Sequence, residues 1–236
     1  MGSLIALLLA TPIYGLSLSV PALEASFDVS AQTAAELQVA ASADGPAANE
    51  SDQADASQAT YMHDLKRRND IAAVHRIFGT ATWISMTLTV AGGVMSYYNL
   101  YGFFQGQGDN PCVTGHAIFG DGGCKGMRTA HAVSAGVTSV LYATTFTLSL
   151  MMPDPDNLSE GKGEFASTLR LHKTLRWVHF GGMVAQALIG IVMANNMLGL
   201  DRANDYKTLQ ALATVHLATG IVTYGALTWA ASLMVF

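Results

Sequence analysis

Charge is what this chain has least of. Only 12% of its 236 residues are charged, against roughly a quarter in an ordinary soluble domain, and half of the residues are hydrophobic. Stretches 77–108, 129–153, 177–200 and 208–236 contain no Asp, Glu, Lys or Arg at all. Each reaches the roughly 20 residues that a helix needs to cross a bilayer. The expected fold class is therefore all-α: an integral membrane four-helix bundle, up-down-up-down because short links make neighbouring helices antiparallel. Other absences exclude functions. A net charge of -5 with no basic stripe argues against nucleic acid as a partner. No Gly-rich fingerprint follows a strand pattern, so nothing here binds a nicotinamide or flavin. Spans without carboxylates are poorly equipped to pump protons or cations.

The remaining organisation is brief. Residues 4–20 form a hydrophobic run ending in Val20-Pro21-Ala22 and Leu23-Glu24-Ala25, endings that a signal peptidase can cut, yet no Lys or Arg precedes the run. Residues 1–25 thus read as a signal peptide or an uncleaved anchor. Residues 26–65 are acidic and Ala/Ser-rich with almost no aromatics, a composition that buries too little apolar surface to offset ordering, so a flexible tail is expected. The membrane domain then covers 66–236.

What the chain does have is one histidine near the start of each span: His75, His131, His179 and His216. An imidazole in a membrane span is costly without a partner, and its presence points to function. In an up-down bundle the odd-numbered spans are diagonal to each other, as are the even-numbered ones. His75 and His179 then approach one membrane face and His131 and His216 the other. Small residues follow each histidine: Gly79, Ala135 and Gly136, Gly181 and Gly182, and Gly220. They leave room for a flat macrocycle, or serve ordinary close packing of membrane helices. Two imidazoles on facing helices are what a haem iron takes as axial ligands. No Cys-x-x-Cys-His attachment motif occurs, so haem b without thioether bonds, two per chain, is the expected cofactor.

On these histidines and this span count, residues 71–236 resemble the cytochrome b-561 type of di-haem membrane cytochrome. The resemblance implies iron ligation by His75 with His179 and by His131 with His216, and transmembrane electron transfer from a quinone pool or small reductant to a redox partner protein. It also implies an electron carrier rather than a stand-alone catalyst. The ascorbate-flanking motifs and six spans of eukaryotic members are absent, so ascorbate is not the expected donor. The alternatives are a haem-b anchor subunit of a larger quinone-linked oxidoreductase and a haem-free four-span transport or assembly protein.

Arg76, Arg128 and Arg176 lie at span ends, as propionate partners or as lipid headgroup anchors. His172 shares a helix face with His179 seven residues away and, between Arg170 and Lys173, is expected at the rim, near quinone or propionate. His63 is expected in water. His116, between Cys112 and Cys124, makes a weak zinc set; a disulfide between the two cysteines is the better expectation in an oxidising compartment. Lys66, Arg67, Arg68, Arg76, Lys162, Arg170, Lys173 and Arg176 flank one face, against Lys125, Arg128, Arg202 and Lys207. The positive-inside rule puts the cysteine loop outside, whereas a cleaved signal would put it in the cytoplasm. The expected location is a bacterial inner membrane.

Overall fold

The computed structural model describes residues 48–234; the segment 1–25 and the first part of the 26–65 tail lie outside the described residues. Five helices follow one another: α1 (Ala48–Tyr101), α2 (Pro111–Thr114), α3 (Gly120–Met151), α4 (Glu164–Ala194) and α5 (Tyr206–Ser232). No strand occurs among the described residues. All but α2 are long and apolar enough to cross a membrane, so the protein is an all-α integral membrane protein with four candidate spans among the described residues.

Residues 48–65, expected to belong to the flexible tail, instead form the first turns of the 54-residue α1. The segment contains no Gly or Pro, and it extends a helix that the membrane part already nucleates, so each added residue gains a hydrogen bond without a new nucleation cost. Its exposed side chains add local support, with Ser57 donating to the Gln53 carbonyl at 2.8 Å. Tyr61 ties it sideways by donating to Asp156 at 2.7 Å.

α1 packs along α3 and α4 along α5; α1 also meets α5, while α3 and α4 scarcely touch. The ring order is thus α1, α3, α4, α5, with α1 diagonal to α4 and α3 diagonal to α5. The α1–α3 seam is built from small hydroxyl residues. Thr138 bonds Ser85 at 2.8 Å and Thr89 at 2.9 Å, and Thr82 bonds Thr145 at 3.0 Å. Side chains of this size let two backbones approach closely, the usual basis of helix association in lipid. Meanwhile Leu88, Val140, Leu188 and Val222 are exposed. An apolar outside around a partly polar inside is the inverse of a water-soluble bundle, and it suits a hydrocarbon solvent.

Three side-chain pairs fix the antiparallel register of α1 against α5: Trp83 with Thr228 at 3.1 Å, Thr87 with Tyr224 at 2.9 Å, and Tyr97 with Thr214 at 2.6 Å. Two apolar clusters divide the interior by depth. One, around Tyr97, Tyr101 and Tyr206, lies towards the cysteine loop. The other, around Met86, Tyr142 and Leu227, fills the middle.

Candidate cofactor-binding site

At the cysteine-loop end, His131 of α3 turns its Nδ1 to the Thr89 carbonyl of α1 at 2.9 Å. A carbonyl only accepts, so Nδ1 carries the hydrogen and Nε2 keeps its lone pair. The ring lies over Gly93, where a Cβ would come within 3.0 Å of Cε1. Across the bundle, His216 of α5 stands two residues past Thr214, the partner of Tyr97. The two imidazoles are 6.2 Å apart between ring centres and perpendicular at 90°. Two end-to-end metal–nitrogen bonds of about 2 Å, with roughly 1 Å more from each nitrogen to its ring centre, call for about 6 Å. The spacing therefore fits one metal held between them. The Nδ1 of His216 is buried with no hydrogen-bond partner among the described residues, and Gly190 of α4 leaves its ring room, at 3.4 Å from a Cβ there. Gln186 donates to the His216 carbonyl at 2.7 Å and holds that turn.

At the opposite end, His75 of α1 repeats the pattern, with Nδ1 on the Thr145 carbonyl of α3 at 3.0 Å. On α4, His172 does the same with the Ala230 carbonyl of α5 at 2.9 Å. His179 differs. It is buried, 7% exposed, and its Nδ1 pairs with the Tyr142 hydroxyl at 2.7 Å, edge-on to the phenol ring.

The register sets their depths. Ala230 lies two residues beyond Thr228, the partner of Trp83, so His172 is level with α1 less than two turns from His75. His179 lies two turns further in, about 10 Å deeper than His172. The structure thus brings His131 to His216 and places His172 nearer the level of His75 than His179.

Of the three arginines, Arg176 is half-buried. Its Nη1 donates to the Ser149 carbonyl at 3.2 Å, it stacks over Trp177 at 5.3 Å, and its Nε is buried without a partner among the described residues. Arg76 and Arg128 are exposed. Outside the spans, Asp154 pairs with Lys173 at 3.0 Å and Arg68 at 3.3 Å. Partial burial alone would raise its carboxyl, but the Leu158 N–H and the two cations outweigh that and hold it below the ordinary carboxylate value.

The small residues after the histidines divide. A Cβ on Gly182 would collide with Thr223, and one on Gly220 would press on Gln186 at 3.2 Å, so these two serve α4–α5 packing; Gly136 and Gly181 face open space. The glycines that face the imidazoles are Gly93 and Gly190, with Gly92 against the Cα and Cβ of His131; the Gly92-Gly93 doublet inside a span was the available signal. The carbonyls of Thr89, Thr145 and Ala230 carried none.

Cys112 and Cys124 are joined in a disulfide, which leaves His116 without thiolates for zinc; His116 instead meets Thr114 at 3.2 Å. His63 is exposed beside Asp64. Among the described residues no three His, Cys, Asp or Glu side chains converge; a bis-imidazole site needs only two. No family model matches the chain, and no curated protein or solved structure matches it either.

Proposed function

We propose that this protein is a membrane electron carrier that holds two b-type haems through paired histidines and passes single electrons across the bilayer. The observation that carries the reading is the His131–His216 pair, two imidazoles from diagonal helices at a spacing that fits one metal. Haem, when bound, supplies a one-electron iron couple. The chain's own residues do the rest. His131 and His216 would hold the group through one imidazole nitrogen each, and a metal so held would suit electron passage rather than oxygen binding. The carbonyls of Thr89 and Thr145 fix the tautomer and orientation of His131 and His75 and raise their basicity, as partners beyond the metal's own ligands do. Arg176, whose buried Nε lacks an acceptor among the described residues, would meet a propionate at the opposite end.

The reading extends to a quinone or small reductant as donor and a redox partner protein as acceptor, because the chain has no substrate-binding domain of its own among the described residues. A pyridine haemochrome assay on the purified protein tests the core of it. Two haems per chain are expected, and His131→Ala and His216→Ala should each remove the same one. A protein purified from haem-replete cells with no haem would refute the reading.

A further inference from the structure

We infer that His172, rather than His179, supplies the nitrogen opposite His75, and that His179 with Tyr142 forms a buried hydrogen-bonded pair between the two haem sites. The inference rests on the two-haem reading. It departs from the ligand set implied by the family resemblance, in which His179 faces His75.

Depth is the first argument. His172 and His179 share one face of α4, so the choice between them is a choice of level. Through α5, His172 falls level with the residue two before Trp83 in α1, six residues from His75 and roughly 9 Å along the axis. His179, seven residues further along α4, falls about 10 Å deeper than His172. An imidazole carries its Nε2 about 4–5 Å from its own Cα and the metal bond adds about 2 Å. Two ligands thus span about 13 Å between Cα atoms, so the shallower His172 meets His75 more readily than His179 does. The route through α3 orders the residues the same way. Tyr142, which holds His179, is about one turn deeper than Thr145, which holds His75.

Hydrogen bonding is the second argument. A metal-bound histidine characteristically donates its other ring N–H to a carbonyl or carboxylate. His75, His131 and His172 all do so, each to the main chain of a neighbouring helix. His179 is committed to a phenol and closed in by the middle cluster, where Phe180 and Met183 pack beside Tyr142.

Surroundings are the third. His172 lies one turn from Arg176, whose Nε lacks a partner among the described residues, and beside Lys173, which reaches Asp154 in the aqueous loop. A haem held at this level would keep its propionates near these cations at the membrane boundary. Ligation by His179 would draw it towards the level of the other pair.

The test compares His172→Ala and His179→Gln with His75→Ala and His131→Ala, reading haem per chain and visible spectrum in the purified proteins. Glutamine at 179 keeps a polar partner for Tyr142 without an imidazole. We expect His172→Ala to fall from two haems to one, losing the component lost in His75→Ala, and His179→Gln to keep both. His172→Met covers the case in which the alanine variant fails to fold: a methionine ligand should raise the potential of that one component and shift its bands. Two haems with unchanged spectra in both His172 variants, or loss of the His75 component in His179→Gln, would overturn the assignment while leaving the two-haem reading intact. Absence of haem from the unaltered protein would instead remove the reading beneath it.

Discussion

Gly93→Ala is the most economical probe of the cysteine-loop-end site, because it adds one methyl whose nearest neighbours are atoms of the His131 ring. A Cβ there would meet Cε1 at 3.0 Å and Nδ1 at 3.3 Å. The ring must retreat by a few tenths of an ångström to reach ordinary van der Waals contact. The pressed edge includes Nδ1, which is held at 2.9 Å by the Thr89 carbonyl. The retreat therefore weakens that bond, at a cost of about 1 kcal/mol, or about fivefold in affinity for whatever the imidazole binds. Gly93→Leu leaves no such escape and should empty the site. Haem titration into the apo-protein, followed by the visible spectrum, measures both. The expected result is weaker binding of the His131 component in Gly93→Ala, its loss in Gly93→Leu, and an unchanged His75 component in both. Gly136→Ala, where a Cβ meets nothing within 4 Å, is the control. Full, tight occupancy of both sites in Gly93→Leu would refute the role given to His131.

Three further outcomes are expected. Tyr142→Phe removes the hydroxyl that pairs with His179 and leaves a buried nitrogen unpaired, so thermal or denaturant unfolding in detergent should show a loss of about 1–3 kcal/mol with two haems retained. Asp154 has a folded value below the ordinary carboxylate value, so its pairing with Lys173 and Arg68 contributes fully above that ordinary value and is lost as pH falls through the depressed one. The melting temperature of the parent protein should accordingly approach that of Asp154→Asn between about pH 6 and pH 3, and a constant gap across that range would contradict the ion pair. An alkylating reagent should modify no thiol without reductant, since the only two cysteines are bonded to each other. Reduction should lower stability by up to about 3 kcal/mol for a loop of this length without altering the haem spectrum.

The span count was legible in one dimension, because crossing a bilayer demands a length of apolar helix, and a lack of charge over 20 or more residues reports that directly. Ring order was legible too: short links force antiparallel neighbours, and α1 is indeed diagonal to α4 and α3 to α5. The helical character of 48–65 was not, because composition speaks to a segment alone, whereas this one continues a helix already nucleated beyond it.

Histidine positions come from the sequence, but which of them face one another depends on register. Seven residues separate His172 from His179, so helical periodicity puts them on one face and makes them equivalent to any reading of pattern. Their difference in depth relative to His75 arises from how α4 slides against α5 and α5 against α1. That slide is decided by interlocking side chains such as Trp83 with Thr228 and Gly182 beneath Thr223. Those contacts join residues 41 to 145 positions apart, and only the folded chain brings them together. The same holds for the ring nitrogens. An imidazole's free lone pair depends on what its other nitrogen meets, and the carbonyls of Thr89, Thr145 and Ala230 belong to neighbouring helices, where any residue type would have offered the same oxygen.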